Sequence, residues 1–321
     1  MQTRARLLRI LGSAGVTLGM ACATLLALEV LLRICDFREL RDGASERSLG
    51  YRHDAELGWV PEPNSTFAVT TARTIQVRHN SLGLRDTELS SDDRPIIMFL
   101  GDSFVWGVDA EAGERFTELL KPRLPNYRIL AAGVSGYGTD QEYLLLRRLW
   151  PRIKPAIVVL VYCADNDRLD NSSNTRYQGY QKPYFVAGAD GQPEVKGQPV
   201  AIPRQQYFRD VWLVHHLWLA RVAVSLYLRI AHPPLSVPDP TEKLVGMVRA
   251  FVEGNGAKFF VAIQRQDDDL ARYLQRSGIA FVSLGGAAEY PVRHGSHWTP
   301  EGHAFVSERI FQLLAGNEAM R

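Results

Sequence analysis

The hydrophobic pattern of the chain begins with one long uncharged run and continues as a series of short ones. From Ile10 to Leu28, nineteen consecutive residues carry no formal charge. At about 1.5 Å per helical residue such a run reaches roughly 28 Å, close to the thickness of a bilayer core. It predicts a membrane-crossing helix over 10–32. Ala21-Cys22-Ala23 offers the small residues of a signal-peptidase site, but the apolar run continues past them, and Gly19 stands where a lipoprotein cysteine would want a large aliphatic residue. Charge alone does not orient the span, because Arg4, Arg6 and Arg9 on one side face Arg33, Arg38, Arg41 and Arg47 on the other. Acidic residues are interleaved only on the carboxy-terminal side, which favours a cytoplasmic tail over 1–9. Glu29, near the end of the span, is placed to reach the interface or to pair with Arg33 one turn on.

Residues 33–94 are rich in Arg, Asp, Asn, Pro and Gly, with short alternating stretches such as Phe67-Ala-Val and Thr74-Ile-Gln-Val. They read as a linker and an irregular flap. From Pro95 the pattern changes to apolar runs of strand length, at 96–100, 128–132, 156–162, 259–263 and 280–284. Between and after them come helical patterns at 116–124, 141–150, 244–253, 270–276 and 304–314. This alternation predicts a doubly wound, mostly parallel α/β sheet, a three-layer α/β/α domain over 95–315, followed by a short tail, 316–321. An insertion over 171–240 interrupts it. Within the insertion, Phe208 to Ile230 reads as an amphipathic helix that covers the sheet or lines a cleft. An interfacial membrane helix is the second reading, since Trp212, Trp218 and Tyr227 suit a headgroup layer.

Composition narrows the function classes. Lys and Arg total 37 against 35 for Asp and Glu, a net charge of +2, so the broad basic excess of a nucleic-acid binder is lacking. The three cysteines, Cys22, Cys35 and Cys163, are too few and too scattered for a disulfide framework or a tetrahedral zinc site. His215 and His216 are adjacent and would point to different faces of a helix, which argues against a metal pair. No cofactor and no metal is expected.

In doubly wound sheets, ligands bind beyond the carboxyl ends of the strands. The first run ends in Gly101-Asp102-Ser103, the second in Gly133-Val-Ser-Gly136-Tyr-Gly138, the third in Ala164-Asp-Asn166-Asp167, and His297 follows the last. A hydroxyl, a glycine turn, a carboxamide and an imidazole at one edge form a kit for acyl transfer: nucleophile, oxyanion donors and base. Ser103 is the candidate nucleophile, with capping of the following helix as its structural alternative. Asp102 reads as a turn and hydrogen-bond residue, Cys163 as core packing, and Trp298 and His303 as structural.

Together these residues resemble the four sequence blocks of the SGNH, or GDSL, hydrolases in the family's own order, over roughly residues 95 to 315. The resemblance implies Ser103 and His297 as catalytic residues and the Ser103 and Gly136 N–H groups with the Asn166 side chain as the oxyanion hole. Gly136 keeps the second-block glycine but not the asparagine that usually supports it, and Ala164 replaces the usual third-block glycine. Leu57-Gly-Trp-Val-Pro61 and Asn80-Ser-Leu-Gly-Leu-Arg-Asp86 resemble segments that precede the serine block in membrane-anchored bacterial members; packing is the simplest role for Arg85 and Asp86. The family's aspartate two or three residues before the histidine is absent, since Gly295 and His294 stand there. Three readings stay open: a Ser–His dyad, an acid supplied from elsewhere with Glu289, His294 or Asp102 as candidate support, or a domain that has lost much of its activity. The resemblance implies an esterase or O-acyltransferase on the periplasmic side of the inner membrane. Its expected partners are the bilayer, an acylated (acetylated) glycan or other ester, and a membrane-bound acyl donor or polysaccharide-assembly protein. A non-catalytic glycan-binding protein is the alternative.

Overall fold

The computed structural model describes residues 2–41, 50–177, 179–189, 191–291 and 296–317. The chain forms two units, Met1–Arg47 with Ile202–Pro233, and Ser48–Ala201 with Pro234–Arg321.

The first unit is helical. Its long helix α1 (Gln2–Cys35) includes a stretch, Leu11–Cys35, that is long and apolar enough to cross a membrane and lies almost wholly exposed. The stretch expected as one helix from Phe208 to Ile230 breaks into α6 (Arg204–Asp210), α7 (Trp212–His216) and α8 (Trp218–Ala231). The breaks fall at Val211 and Leu217, both in extended conformation. Within their unit these helices pack with α1. The reason lies in the polar residues of that stretch. Glu29 accepts from the backbone N–H groups of Trp218 (3.0 Å) and Leu219 (2.9 Å), capping α8, and also accepts from Arg33 at 2.7 Å. Arg221, buried, donates to the carbonyls of Leu40, Val214 and His215. Leu40, Phe208 and Val214 form a small core against Leu32 and Val224.

The second unit carries the predicted α/β architecture. Two antiparallel hairpins, β1 (Tyr51–Asp54) with β2 (Gly58–Pro61) and β3 (Thr66–Thr70) with β4 (Thr74–Arg78), precede the sheet. The sheet strands are β5 (Ile96–Gly101), β6 (Arg128–Gly133), β7 (Ile157–Tyr162), β12 (Lys258–Ile263) and β13 (Phe281–Ser283), all parallel, in the order β13-β12-β7-β5-β6. Residues 171–201 add two small ribbons, β8 (Thr175–Arg176) with β9 (Tyr180–Gln181) and β10 (Tyr184–Ala187) with β11 (Pro193–Lys196).

Period-two alternation sends the strand side chains into two cores. Met98, Leu100, Leu160 and Val261 meet α4 (Thr139–Ile153), α9 (Thr241–Gly254) and α10 (Asp268–Arg276) on one face. Ile97, Phe99, Val159 and Ala262 meet α2 (Ser103–Trp106), α3 (Phe116–Leu120) and α11 (Pro300–Gly316) on the other. In chain order the sheet reads 2-1-3-4-5, so its topological switch point lies between β5 and β7, where open α/β sheets form their ligand crevice.

Candidate active site

Ser103 and Asn166 leave the sheet on either side of that switch point, Ser103 directly after β5 and Asn166 just before α5 (Asp167–Asn171). Capping falls to Asp102 rather than Ser103: Asp102 Oδ1 accepts from the Phe104 N–H at 2.9 Å, so the serine is free to face His297. Ser103 Oγ lies 2.9 Å from His297 Nε2 and 3.2 Å from Asp102 Oδ2. The histidine is held by its own loop. Tyr290 N donates to the His297 carbonyl and Thr299 N to that of Ala288, both at 2.9 Å, pairing the two segments. Thr299 then caps α11 through the Gly302 N–H, and the Phe104 ring packs 5.1 Å from the imidazole.

The carboxylate facing the second ring nitrogen is one the sequence reading did not consider. Asp109 Oδ2 lies 3.9 Å from His297 Nδ1, an ion-pair distance, and the aspartate is fully buried. Its other oxygen accepts from Thr71 Oγ1 and from the N–H groups of Ala72 (2.9 Å) and Arg73 (3.3 Å), in the turn between β3 and β4. Asp109 itself has φ +65°, a left-handed conformation uncommon for non-glycine residues but one that aspartate adopts more readily than most. Glu289, expected as an acceptor for His297, is engaged elsewhere, with Gln264 Nε2 at 2.9 Å and with Arg265. His294 lies outside the described residues. No sequence period marks Asp109; the only local cue was an acidic residue shortly after the Gly107 turn, on a loop at the nucleophile's edge of the sheet.

The glycine turn after β6 is clamped by the first hairpin. Tyr51 Oη accepts from the Ser135 N–H at 2.9 Å, and Trp59 Nε1 donates to the Ser135 carbonyl at 3.3 Å. Gly136 has φ +83°, and a Cβ there would overlap the ring of Tyr177, so this position admits glycine alone on both counts. Asn166 Nδ2 donates to Asp170 Oδ2 at 2.6 Å, which fixes the amide and leaves its second hydrogen for another acceptor. Burial raises Asp170 to about 6, against the opposing pull of Arg176.

Beneath Ser103 lies a set of buried acids. Burial holds Asp102 above the usual carboxylate range. It pushes Glu142 and Asp167 well above it, reinforced by the neighbouring carboxylates. Both Glu142 oxygens and Asp167 Oδ1 lack hydrogen-bond partners among the described residues. Ligand atoms of Asp102, Cys163 and Asp167 fall within 4.8 Å of one another. They do not fit a metal site well. Asp102 is spent on its cap, Asp167 Oδ2 accepts from Cys163 N, and the Cys163 thiol donates to Asn166 Oδ1 while burial raises its pKa, opposite to what a thiolate ligand requires. Protonated carboxyls account for the set without an ion.

No family model matches the chain, and no curated protein matches it. Among solved structures it is similar to a member of the lipolytic protein G-D-S-L family from Veillonella parvula, with 14% identity, 69% of this chain and 98% of that one covered, and a TM-score of 0.39. It is similar also to a carbohydrate acetylesterase family member from Sinorhizobium meliloti (12% identity, 70% and 100% covered, TM-score 0.35). A third is a catalytic mutant of Axe2, an acetylxylan esterase from Geobacillus stearothermophilus (12% identity, 71% and 96% covered, TM-score 0.37).

Proposed function

We propose that the chain is a serine esterase of SGNH type, tethered by α1 to the inner membrane with its α/β unit in the periplasm. The reading rests on one observation above the rest: a serine hydroxyl 2.9 Å from an imidazole nitrogen at the switch point of a doubly wound sheet. In this reading His297 Nε2 takes the Ser103 proton as Oγ attacks an ester carbonyl. The resulting oxyanion is held by the N–H groups of Ser103 and Gly136 and by the Asn166 amide hydrogen not given to Asp170. Collapse expels the alcohol, protonated by His297, and leaves acyl-Ser103. Water, or a sugar hydroxyl in a transferase, then attacks with His297 again as base, and the serine is restored. Asp109 steadies the imidazolium that forms in both halves.

For the substrate we propose O-acyl, in particular acetyl, groups on an envelope glycan, supported by the resemblance of residues 57–61 and 80–86 to segments of membrane-anchored bacterial SGNH hydrolases. The missing aspartate before His297 favoured a non-catalytic glycan-binding protein; with a carboxylate facing Nδ1, the catalytic reading has the better support. The test is hydrolysis of an aryl acetate by detergent-solubilised full chain, with fluorophosphonate labelling in parallel. Ser103→Ala should abolish both. Equal hydrolysis by wild type and S103A, or a folded wild type that neither hydrolyses nor labels at any pH, overturns the proposal.

A further inference from the structure

The helical unit shows an apolar surface that its own core does not use. On α8, Leu226 (56% exposed) and Ile230 (72%) lie four residues apart on one face, and on α7 Trp212 is 72% exposed. Isolated exposed apolar residues are ordinary, but a stripe at helical spacing calls for a cover. The position of the stripe suggests the cover. Glu29 caps α8 one residue beyond the uncharged run of α1, and Arg33 donates to the His216 carbonyl, so α7 and α8 meet α1 at the polar end of its span. On α1 itself, Leu31 (54%) and Ile34 (74%) are equally exposed at this level. Exposed apolar side chains are therefore found on the long helix and on the short ones joined to it at Glu29 and Arg33, with Arg221 turned inward to brace them.

We propose that α7 and α8 lie in the headgroup layer of the bilayer that α1 crosses, with Trp212, Leu226 and Ile230 in the acyl boundary. The inference rests on the reading of α1 as a membrane-crossing helix. An amphipathic helix with an aromatic at its edge gains from partitioning its apolar face into that layer. Bracing by Glu29 and Arg221 means that little ordering remains to be done on contact. The unit then attaches by an anchor and an interfacial foot, which restricts its rotation about α1 more than a single helix can.

The test uses the full chain in nanodiscs of phosphatidylcholine and phosphatidylglycerol, with and without lipids brominated high on the acyl chains. Bromine quenches indoles that reach the acyl boundary. Of the six tryptophans, Trp59, Trp106, Trp150 and Trp298 are buried and Trp218 is half-buried against the unit's own core, so Trp212 is the indole most open to the lipid. Wild type should be quenched, and W212F should lose most of that quenching. The double variant L226D/I230D, changed only at solvent-facing positions, should also lose it while resisting extraction by alkaline carbonate. A carbonate-resistant wild type whose quenching W212F leaves unaltered overturns the proposal and leaves the surface to a protein partner. A chain that carbonate extracts overturns the reading of α1 as well.

Discussion

A single side chain decides how much can be asked of Ser103. An imidazole with only the serine on one nitrogen forms its cation unaided, whereas a buried carboxylate 3.9 Å from Nδ1 stabilises that charge in a region of low dielectric. Asp109→Asn keeps the shape and removes the charge. It should lower kcat for aryl acetate about a hundredfold or more, whereas Glu289→Gln should stay within about twofold of wild type. If D109N retains wild-type turnover across its pH profile, the site works as a dyad. Asn166→Ala tests the oxyanion side: loss of one such donor typically costs roughly 2.7–4 kcal/mol, so kcat should fall about a hundred- to a thousandfold. Fluorophosphonate labelling, which asks chiefly for an activated serine, should fall less than turnover. The nucleophile, base and oxyanion candidates were legible because each follows a strand, and strands announce themselves by apolar runs. Asp109 was not, since its position depends on a left-handed turn and on a contact with Thr71, 38 residues away in sequence.

The same difference between local and distant information runs through the elements. Helices and strands of the sheet unit came out within a few residues of their expected bounds, because period and burial are local signals. The segment before the sheet gave only short alternations, yet its hairpins do much of the positioning. The turn between β3 and β4 grips Asp109, β1 and β2 grip the glycine turn, and Arg85 joins them to the loop after α2. Its guanidinium donates to the carbonyls of Trp106 (3.1 Å), Gly107, Ala110 (2.7 Å) and Gln76 (3.2 Å) and stacks 4.8 Å from the Trp106 ring. Arg85 is thus a positioning residue for the loop that carries Asp109, beyond the packing role expected for it. Arg85→Ala leaves several buried carbonyls without a donor, at about 1–3 kcal/mol each before relaxation. It should lower the melting temperature and cut kcat with little change in KM, since Arg85 acts through the loop that carries Asp109. Were KM alone to change, the hairpins would be lining the substrate path and not holding the acid. The stretch expected as one helix divides into three for a related reason. Its charged and polar residues look like a solvent face until Glu29, nearly two hundred residues earlier, supplies the partner.

For the molecule as a whole, burial of titratable groups on both sides of neutrality shapes stability against pH. His79 and His303 are held neutral by burial, at about 4 and about 3. Unfolded imidazoles bind protons from about pH 6.5 downward, so the stability these two contribute is complete above that value and is lost as pH falls toward 4 and 3. Glu142 acts in the opposite sense. Its folded pKa is raised by burial and by the charges of Asp167, Asp102, Asp140 and Asp170. Above about pH 4.5 the unfolded carboxyl has released a proton that the folded one retains, so stability declines with rising pH by up to about 1.4 kcal/mol per unit until the folded group ionises. Because Glu142 and Asp167 interact, the release belongs to the pair rather than to either residue. Glu142→Gln removes the titration while keeping the volume. Near pH 5 the variant and wild type should melt within a few degrees of each other. Toward pH 8 the variant should become progressively the more stable, and the gap is read directly from thermal melts of full chain in the same detergent. A gap that does not widen with pH would mean that Glu142 is ionised in the fold, against the raised pKa that burial and its acidic neighbours impose.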